Sequence, residues 1–461
     1  MAGRRRNIVF FHPDLGIGGA ERLVVDAAVA LQDLGHTVTI FTSHCDPAHC
    51  FDEARDGTLD VRVRGNTLIP PSILNRFFIL CAILRQVHLV LQICFITSEL
   101  QQLKPDAFFA DQLSACIPLL RFFLPQTRLL FYCHFPDKLL AYRESAIKKF
   151  YRIPFDWFEG WTTGLSDVIA VNSKFTRQIF GEAFPTLESR EPRVIYPCVD
   201  VQAAQKDSGI EGGPEPLWKG RKVILSINRF ERKKDIGLAV KAFAGLPPAI
   251  RSRARLVIAG GYDPRMAENV SHHKELEQLA DSLKLRHATA TNIATAMAVP
   301  DTTDVLFLLS VPSSLKLTLL RSASLLVYTP KYEHFGIVPL EAMLEKVPVL
   351  AAATGGPTET VVDGQTGWSR SVEAVEEWTE VMRLVLSELS ERDLHCMGDA
   401  GRQRVVEHFS QVTMGQRLDD EISAMVRIKK RPEVFGSHFI VAVVGFVGFN
   451  AVLAAIVLPA K

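Results

Sequence analysis

Residues 8–22 read Ile8-Val9-Phe10-Phe11-His12-Pro13-Asp14-Leu15-Gly16-Ile17-Gly18-Gly19-Ala20-Glu21-Arg22. A short apolar run is followed by a glycine-rich turn, and the turn opens a helical pattern over residues 22–34. Gly35 stops that helix, and residues 36–42 form the next strand. Strand, glycine turn, helix and strand in that order predict a parallel βαβ unit. Outward from it, strands are expected at 107–110, 128–132 and 168–171, and a crossing segment begins at 192–200. Residues 207–216 are a Gly/Pro/acid-rich linker, after which the pattern restarts with strands at 222–227, 255–259, 323–328 and 347–352. The expected fold is α/β, with two doubly wound domains in tandem facing a cleft. In such sheets the ligand lies beyond the carboxyl ends of the strands.

The chain has 461 residues, 48% hydrophobic, with mean hydropathy +0.12 and net charge +1. That charge gives no case for nucleic acid as a partner. Eight cysteines show no pairing spacing and read as reduced thiols. The H-C-x3-H-C run of His44, Cys45, His49 and Cys50 lacks the paired arms of a structural zinc site, and no metal is expected. The basic start Arg4–Arg6 precedes an apolar run broken at once by His12-Pro13-Asp14, too short for a signal peptide.

Residues 439–458 are uncharged and apolar, broken by Gly445, Gly448 and Asn450, which fits a bilayer span. Arg427, Lys429, Lys430 and Arg431 precede it, so the positive-inside rule puts the preceding domains in the cytosol. The expected division is 1–195, 196–425, and a basic flank and membrane anchor at 426–461. Residues 77–97 are also apolar, but Arg85, His88 and Gln92 fall on one helical stripe. That pattern suits an amphipathic helix against membrane, a lipid groove, or an ordinary packing helix.

The chemistry-bearing residues follow the strand ends. Gly18-Gly19 let backbone approach a ligand beside a helix start, although full G-x-G-x-x-G spacing is missing and a nicotinamide cofactor is poorly supported. Tyr132-Cys133-His134-Phe135-Pro136-Asp137 places His134 past a strand, where it could orient a hydroxyl. Arg229-Phe230-Glu231-Arg232-Lys233-Lys234 brings cations suited to a diphosphate. Glu333-His334-Phe335-Gly336-Ile337-Val338-Pro339-Leu340-Glu341 puts one acid in a loop, a second on a helix, and an anion-attracting helix start at Gly336, Ile337 and Val338 between them. Gly355-Gly356 form another glycine turn at a strand end. Each segment also has a plain structural reading, as a tight turn, a solvated charge run or acids stabilising a helix start.

The order of these motifs resembles the retaining glycosyltransferases of family 4, with the GT-B fold of two Rossmann-like domains, over roughly residues 5–425. The motifs that carry it are the Gly-Gly turn, Arg229 with Lys234, Glu333 with Glu341, and Gly355-Gly356-x-x-Glu359. Residues 12–22, 131–137, 226–234 and Tyr328-Thr329-Pro330 are similar to the members of that family that build dolichol-linked oligosaccharide. The resemblance implies GDP-mannose as donor and a dolichyl-diphosphate-linked Man1GlcNAc2 as acceptor. It implies an α-1,3 and then an α-1,6 mannose added with retention, no metal, and the cytosolic face of the endoplasmic reticulum membrane. Other enzymes of that pathway are further partners it allows. It puts Arg229 and Lys234 on the donor diphosphate, Glu333 on donor-sugar hydroxyls and Glu341 on the ribose. His134 would lie near the transferring sugar, and Gly18-Gly19 near donor phosphate and acceptor. Residues 287–302 align with nothing in the family, and the sequon Asn269-Val270-Ser271 is expected to be empty in the cytosol. Two rivals stand beside this reading: another membrane-anchored family 4 enzyme, such as one transferring N-acetylglucosamine to phosphatidylinositol, and a catalytically silent scaffold.

Overall fold

The computed structural model describes residues 4–73, 77–140, 146–201, 217–218 and 220–428. The expected span at 439–458, the basic residues 429–431 and the linker 207–216 lie outside them. The chain forms two compact units.

The first unit is built on seven parallel strands: β1 (Asn7–His12), β2 (Thr37–Thr42), β3 (Asp60–Val63), β4 (Ala107–Asp111), β5 (Arg128–Cys133), β6 (Val168–Val171) and β7 (Arg193–Val194). Their order is β3-β2-β1-β4-β5-β6-β7. The central strands are buried on both faces, which is why they read as unbroken apolar runs. Phe10 of β1 stacks on Phe109 of β4 with ring centroids 4.3 Å apart. The glycine turn opens the helix Gly19–Asp33, whose Leu23, Val24, Ala27 and Leu31 are buried.

The last described helix, Gln411–Arg427, was expected in the second unit, which the sequence reading ran to residue 425. It packs instead on the first. Its Gly415 lies so near Ala30 that a Cβ there would come within 2.8 Å of the alanine methyl. Asp419 accepts from Arg6 Nη1 at 2.9 Å and pairs with His36 Nε2 at 3.1 Å. The helix thus returns to the start of the chain, burying Met414, Leu418, Ile422 and Met425, with the glycine contact and the Asp419 carboxylate beside them.

The apolar stretch after β3 is an α-helix, Phe78–Leu91, continued by a π turn, Gln92–Ile96. By length and composition Phe78–Ile96 could cross a membrane, yet 44% of its most apolar window is buried in the protein. Its polar side chains serve neighbouring backbone: Arg85 donates to Ser43 O at 2.6 Å, Gln86 to Leu113 O at 2.9 Å, and Gln92 accepts from Gly65 N at 2.8 Å. The apolar Phe78, Leu91, Phe95 and Ile96 are exposed. The polar stripe therefore faces the protein, and the helix ends present apolar groups outward.

The second unit, Pro197–Ser410, holds seven more parallel strands: β8 (Lys222–Ile227), β9 (Ala254–Gly260), β10 (His287–Ala290), β11 (Val305–Leu309), β12 (Ala323–Tyr328), β13 (Val349–Ala352) and β14 (Gly367–Arg370). Their order is β10-β11-β9-β8-β12-β13-β14. Both sheets start in the middle, build one flank, then jump to the other. Each therefore has a switch point, between β1 and β4 and between β8 and β12, where doubly wound folds bind ligands. The polar run at 287–302 becomes edge strand β10 and a short helix, Ile293–Met297. In the sequon, Asn269 is 7% exposed; its amide accepts from Asp263 N and donates to Phe230 O. The Asn269 amide thus serves the fold itself.

Candidate functional site

At the switch point of the second unit, the chain leaves β8 through Asn228 and Arg229 and leaves β12 through Thr329 and Pro330. Because these strands are neighbours, groups 99 residues apart in sequence meet: Lys234 Nζ pairs with Glu333 Oε2. Thr329 Oγ1 donates to Lys234 O at 2.7 Å, tying the basic loop to the end of β12. Both members of the pair are mostly buried, at 13% and 20% side-chain exposure. Burial pushes the Glu333 carboxyl up, but Lys234, His334 and the Tyr328 hydroxyl outweigh it, and the carboxyl lies below its usual range. The Tyr328 phenol is held well above its usual range by burial and by Glu333, with Glu341 adding to it and Arg229 opposing it. Arg229, Glu333 and Glu341 therefore gather around one buried tyrosine.

The other basic residues divide. Arg229 is 63% exposed and pairs with Glu231 at 3.0 Å, and Lys233 pairs with the same carboxylate at 3.1 Å. Arg232 turns away to Ser271 and Glu275 on the helix Ala267–Ser282. Of the four cations, Lys234 alone pairs with the buried Glu333, while Arg229 acts on Tyr328 only through its charge.

Gly336 takes φ +86 immediately before the helix Ile337–Leu344, and a Cβ there would stand 3.1 Å from the Tyr328 ring. Gly336, Ile337 and Val338 thus form a helix start directly after the Glu333 loop. Glu341, one turn in, accepts from Lys316 Nζ at 2.6 Å, while its Oε2 is buried without a partner among the described residues. Gly355 and Gly356 lie against the backbone of the same loop, and Gly356 N donates to Glu333 O at 2.7 Å. The second glycine's N–H is therefore already committed, and the pair shapes the Glu333 loop from behind. Tyr328 and Lys316 were missed as site residues. Tyr328 was visible as the last residue of a strand, but Lys316 follows β11, which was not assigned.

His134, Gly18 and Gly19 lie in the first unit. Gly18 precedes the helix Gly19–Asp33, and a Cβ on Gly19 would meet nothing within 4 Å. His134 follows β5, and its Nε2 lies 2.9 Å from Asp111 Oδ2 at the end of β4. Asp111 also faces His12 Nδ1, at 2.9 and 3.1 Å, at the end of β1. Neither His12 nor Asp111 was singled out as a site residue, although His12 opens a stretch that carries the family resemblance. The next residue, Gln112, takes φ +61, a left-handed conformation costly for a side chain of this kind. A cavity of about 600 Å³ opens beside these strand ends, lined among others by Asp14, Gly16, Glu21, Gln112 and Ile79. His44 and His49 also line it, but among the described residues the His/Cys cluster gathers into no set able to hold a metal ion.

Glu159 sits in the same unit, its carboxylate accepting from Asp137 N at 2.7 Å and Lys138 N at 3.0 Å. Burial first, then the neighbouring Asp137, push its pKa up to about 7. The folded state thus holds a proton that the unfolded chain, at 4.5, releases. Stability falls as pH rises between those values and is level above the upper one, a loss of about 3 kcal/mol. Thermal unfolding at pH 5 and pH 8 should show a smaller drop for Glu159→Gln than for the wild type. Equal drops would contradict this.

Residues 17–203 match the family described as Glycosyltransferase Family 4, and residues 213–292 and 294–404 match Glycosyl transferases group 1. The α-1,3/1,6-mannosyltransferase alg-2 of Neurospora crassa is 57% identical over 428 residues, covering 91% of this chain and 91% of its own. The chain belongs to glycosyltransferase family 4. Among further relatives, the α-1,3/1,6-mannosyltransferase ALG2 of Saccharomyces cerevisiae is 44% identical over 466 residues, covering 94% of this chain and 88% of its own. Solved structures of glycosyltransferases share the fold. One from Rickettsia africae has a TM-score of 0.67 at 15% identity, covering 92% of this chain and all of its own. HepE of Anabaena, in complex with UDP and glucose, has a TM-score of 0.61 at 18% identity, covering 91% and 100%. The two seven-stranded sheets are the Rossmann-like halves of the GT-B fold that this family uses.

Proposed function

We propose that this chain transfers mannose from GDP-mannose to a dolichyl-diphosphate-linked Man1GlcNAc2, first in α-1,3 and then in α-1,6 linkage, with retention. The observation that carries this reading is 44–57% identity to α-1,3/1,6-mannosyltransferases over nine-tenths of the chain. The geometry supports it through the buried Lys234–Glu333 pair at the second switch point.

In this reading the second unit takes the donor. Lys234 stabilises charge developing on the departing diphosphate, a role suited to a preorganised cation in a partly dry site. Arg229, exposed and paired with Glu231, adds a second cation. Glu333, kept ionised by Lys234, accepts hydrogen bonds from mannose hydroxyls. Gly336, Ile337 and Val338 offer N–H groups to phosphate, and Glu341, one of whose oxygens has no partner among the described residues, takes the ribose. Gly355 and Gly356 keep the Glu333 loop at its height. The first unit takes the acceptor, with Gly18 and Gly19 near donor phosphate and acceptor and His134 near the transferring sugar. Departing phosphate helps to take the acceptor's proton in a same-face displacement, so no carboxylate nucleophile is required. The exposed apolar ends of Phe78–Ile96 suit contact with membrane, in keeping with a place on the endoplasmic reticulum membrane with both units in the cytosol.

Purified full chain, given GDP-mannose and the lipid-linked trisaccharide, should yield products with one and then two added mannoses of α-1,3 and α-1,6 linkage. No transfer is expected from UDP-N-acetylglucosamine to phosphatidylinositol. The reverse pattern, or failure to use either donor, would overturn the reading.

A further inference from the structure

The carboxyl ends of three adjacent strands in the first unit carry His12, Asp111 and His134, and their contacts fix where the protons are. Asp111 and His12 are fully buried, at 0% and 1% exposure. His12 has an oxygen at each ring nitrogen: Asp111 at Nδ1, 2.9 Å away, and the Asp14 carbonyl at Nε2, 3.0 Å away. A carbonyl oxygen can only accept, so Nε2 carries a proton. Asp111 is held below the usual carboxylate range, against the cost of burial, by His12 and His134, so it too accepts and Nδ1 carries a proton. His12 is therefore an imidazolium. Its pKa is raised even though burial opposes the charge, through Asp111, Glu21 and the Asp14 carbonyl.

The remaining Asp111 oxygen faces His134 Nε2 at 2.9 Å and accepts there as well. In neutral His134 the proton is on Nε2, and Nδ1 keeps its lone pair. That Nδ1 has no partner among the described residues and is not buried. The ring is held in place: it lies 4.9 Å from the Tyr132 ring, and Asn172 Nδ2 donates to the His134 carbonyl at 3.0 Å.

We propose that Asp111 is a positioning residue, neutralised by a buried His12 imidazolium, which holds His134 in the Nε2–H tautomer so that its Nδ1 accepts a hydrogen bond from a sugar hydroxyl of the substrate. With His12 charged beside the carboxylate, one negative and one positive charge cancel. The hydroxyl rests on the transferase reading above, but the proton positions do not. A failure of sugar transfer and a failure of this arrangement are thus separable.

The test is nitrogen-15 NMR of histidine ring-labelled full chain in detergent, with His12 and His134 signals assigned by loss in His12→Gln and His134→Gln. In the wild type at neutral pH, His12 should show both nitrogens protonated, and His134 a protonated Nε2 with a bare Nδ1. A neutral His12, or a His134 proton on Nδ1, overturns the proposal without recourse to any variant. Asp111→Asn presents an amide N–H to His134 Nε2 and should invert its tautomer. Transfer should then fall about a hundredfold in kcat, as loss of one preorganised hydrogen bond does, with KM changed much less. A variant that folds, keeps the wild-type His134 pattern and turns over normally would also overturn it.

Discussion

Replacing Lys234 with Ala should lower the rate of mannose transfer by two to three decades while leaving the chain folded. The expectation follows from what Lys234 touches. It is the one cation of its loop inside the cluster, bonded to Glu333 and held by Thr329 through its own carbonyl. A single preorganised contact to developing charge is worth about 2.7–4 kcal/mol, hence about a hundredfold to a thousandfold. The substitution has a second consequence. Glu333 is kept ionised largely by Lys234, and without it burial pushes the carboxyl up. Stability from that ionised carboxylate is normally present above its unfolded value of 4.5 and lost as pH falls through the lower folded one. In Lys234→Ala it is missing at neutral pH, because a mostly buried charge has lost its partner. The double variant Lys234→Ala/Glu333→Gln should recover thermal stability but no activity. Steady-state rates with GDP-mannose and thermal midpoints of the three proteins separate the two effects. Near-normal turnover in Lys234→Ala would remove the lysine from the mechanism.

How much of this was legible in the sequence depends on where each residue lies. Central strands such as Lys222–Ile227 and Val168–Val171 are buried on both faces, and their apolar runs announce them to the residue. Edge strands do not. Asp60–Val63 is half-exposed, and His287–Ala290 has one sheet neighbour only and reads as a polar run. Lys234 and Glu333 were each visible as strand-end charges, but their pairing follows from β8 lying beside β12, which strand order alone decides. The same holds for His12 and Asp111, joined because β1 lies beside β4. The return of Gln411–Arg427 to the first unit was hidden more thoroughly. Its apolar stripe would suit any partner, and the contacts that choose one, Gly415 on Ala30 and Asp419 with Arg6 and His36, join opposite ends of the chain.

Close packing behind the Glu333 loop predicts the other large effect, that of Gly356→Ala. Gly356 has an ordinary helical φ of −57°, so backbone conformation is no obstacle to alanine. Space is the obstacle. A Cβ there would lie 2.3 Å from Phe335 Cα and 2.5 Å from Phe335 O, and backbone atoms cannot swing aside as a side-chain tip can. Restoring ordinary contact, which begins near 3.4 Å, requires about 1 Å of movement by the loop that carries Glu333. The hydrogen bond from Gly356 N to Glu333 O at 2.7 Å transmits that movement directly. A displacement of about 1 Å at a positioned group costs about a hundredfold in rate, and overpacking costs about 1–3 kcal/mol of stability. Gly181 supplies the contrast. It lies on the helix Lys174–Ala183, and a Cβ added there would meet nothing within 4 Å. Gly181→Ala should therefore raise the thermal midpoint slightly through helix propensity and leave transfer unchanged. If Gly356→Ala matched Gly181→Ala in both rate and midpoint, the Glu333 loop would have to tolerate displacement, and its position could not be what orients the mannose.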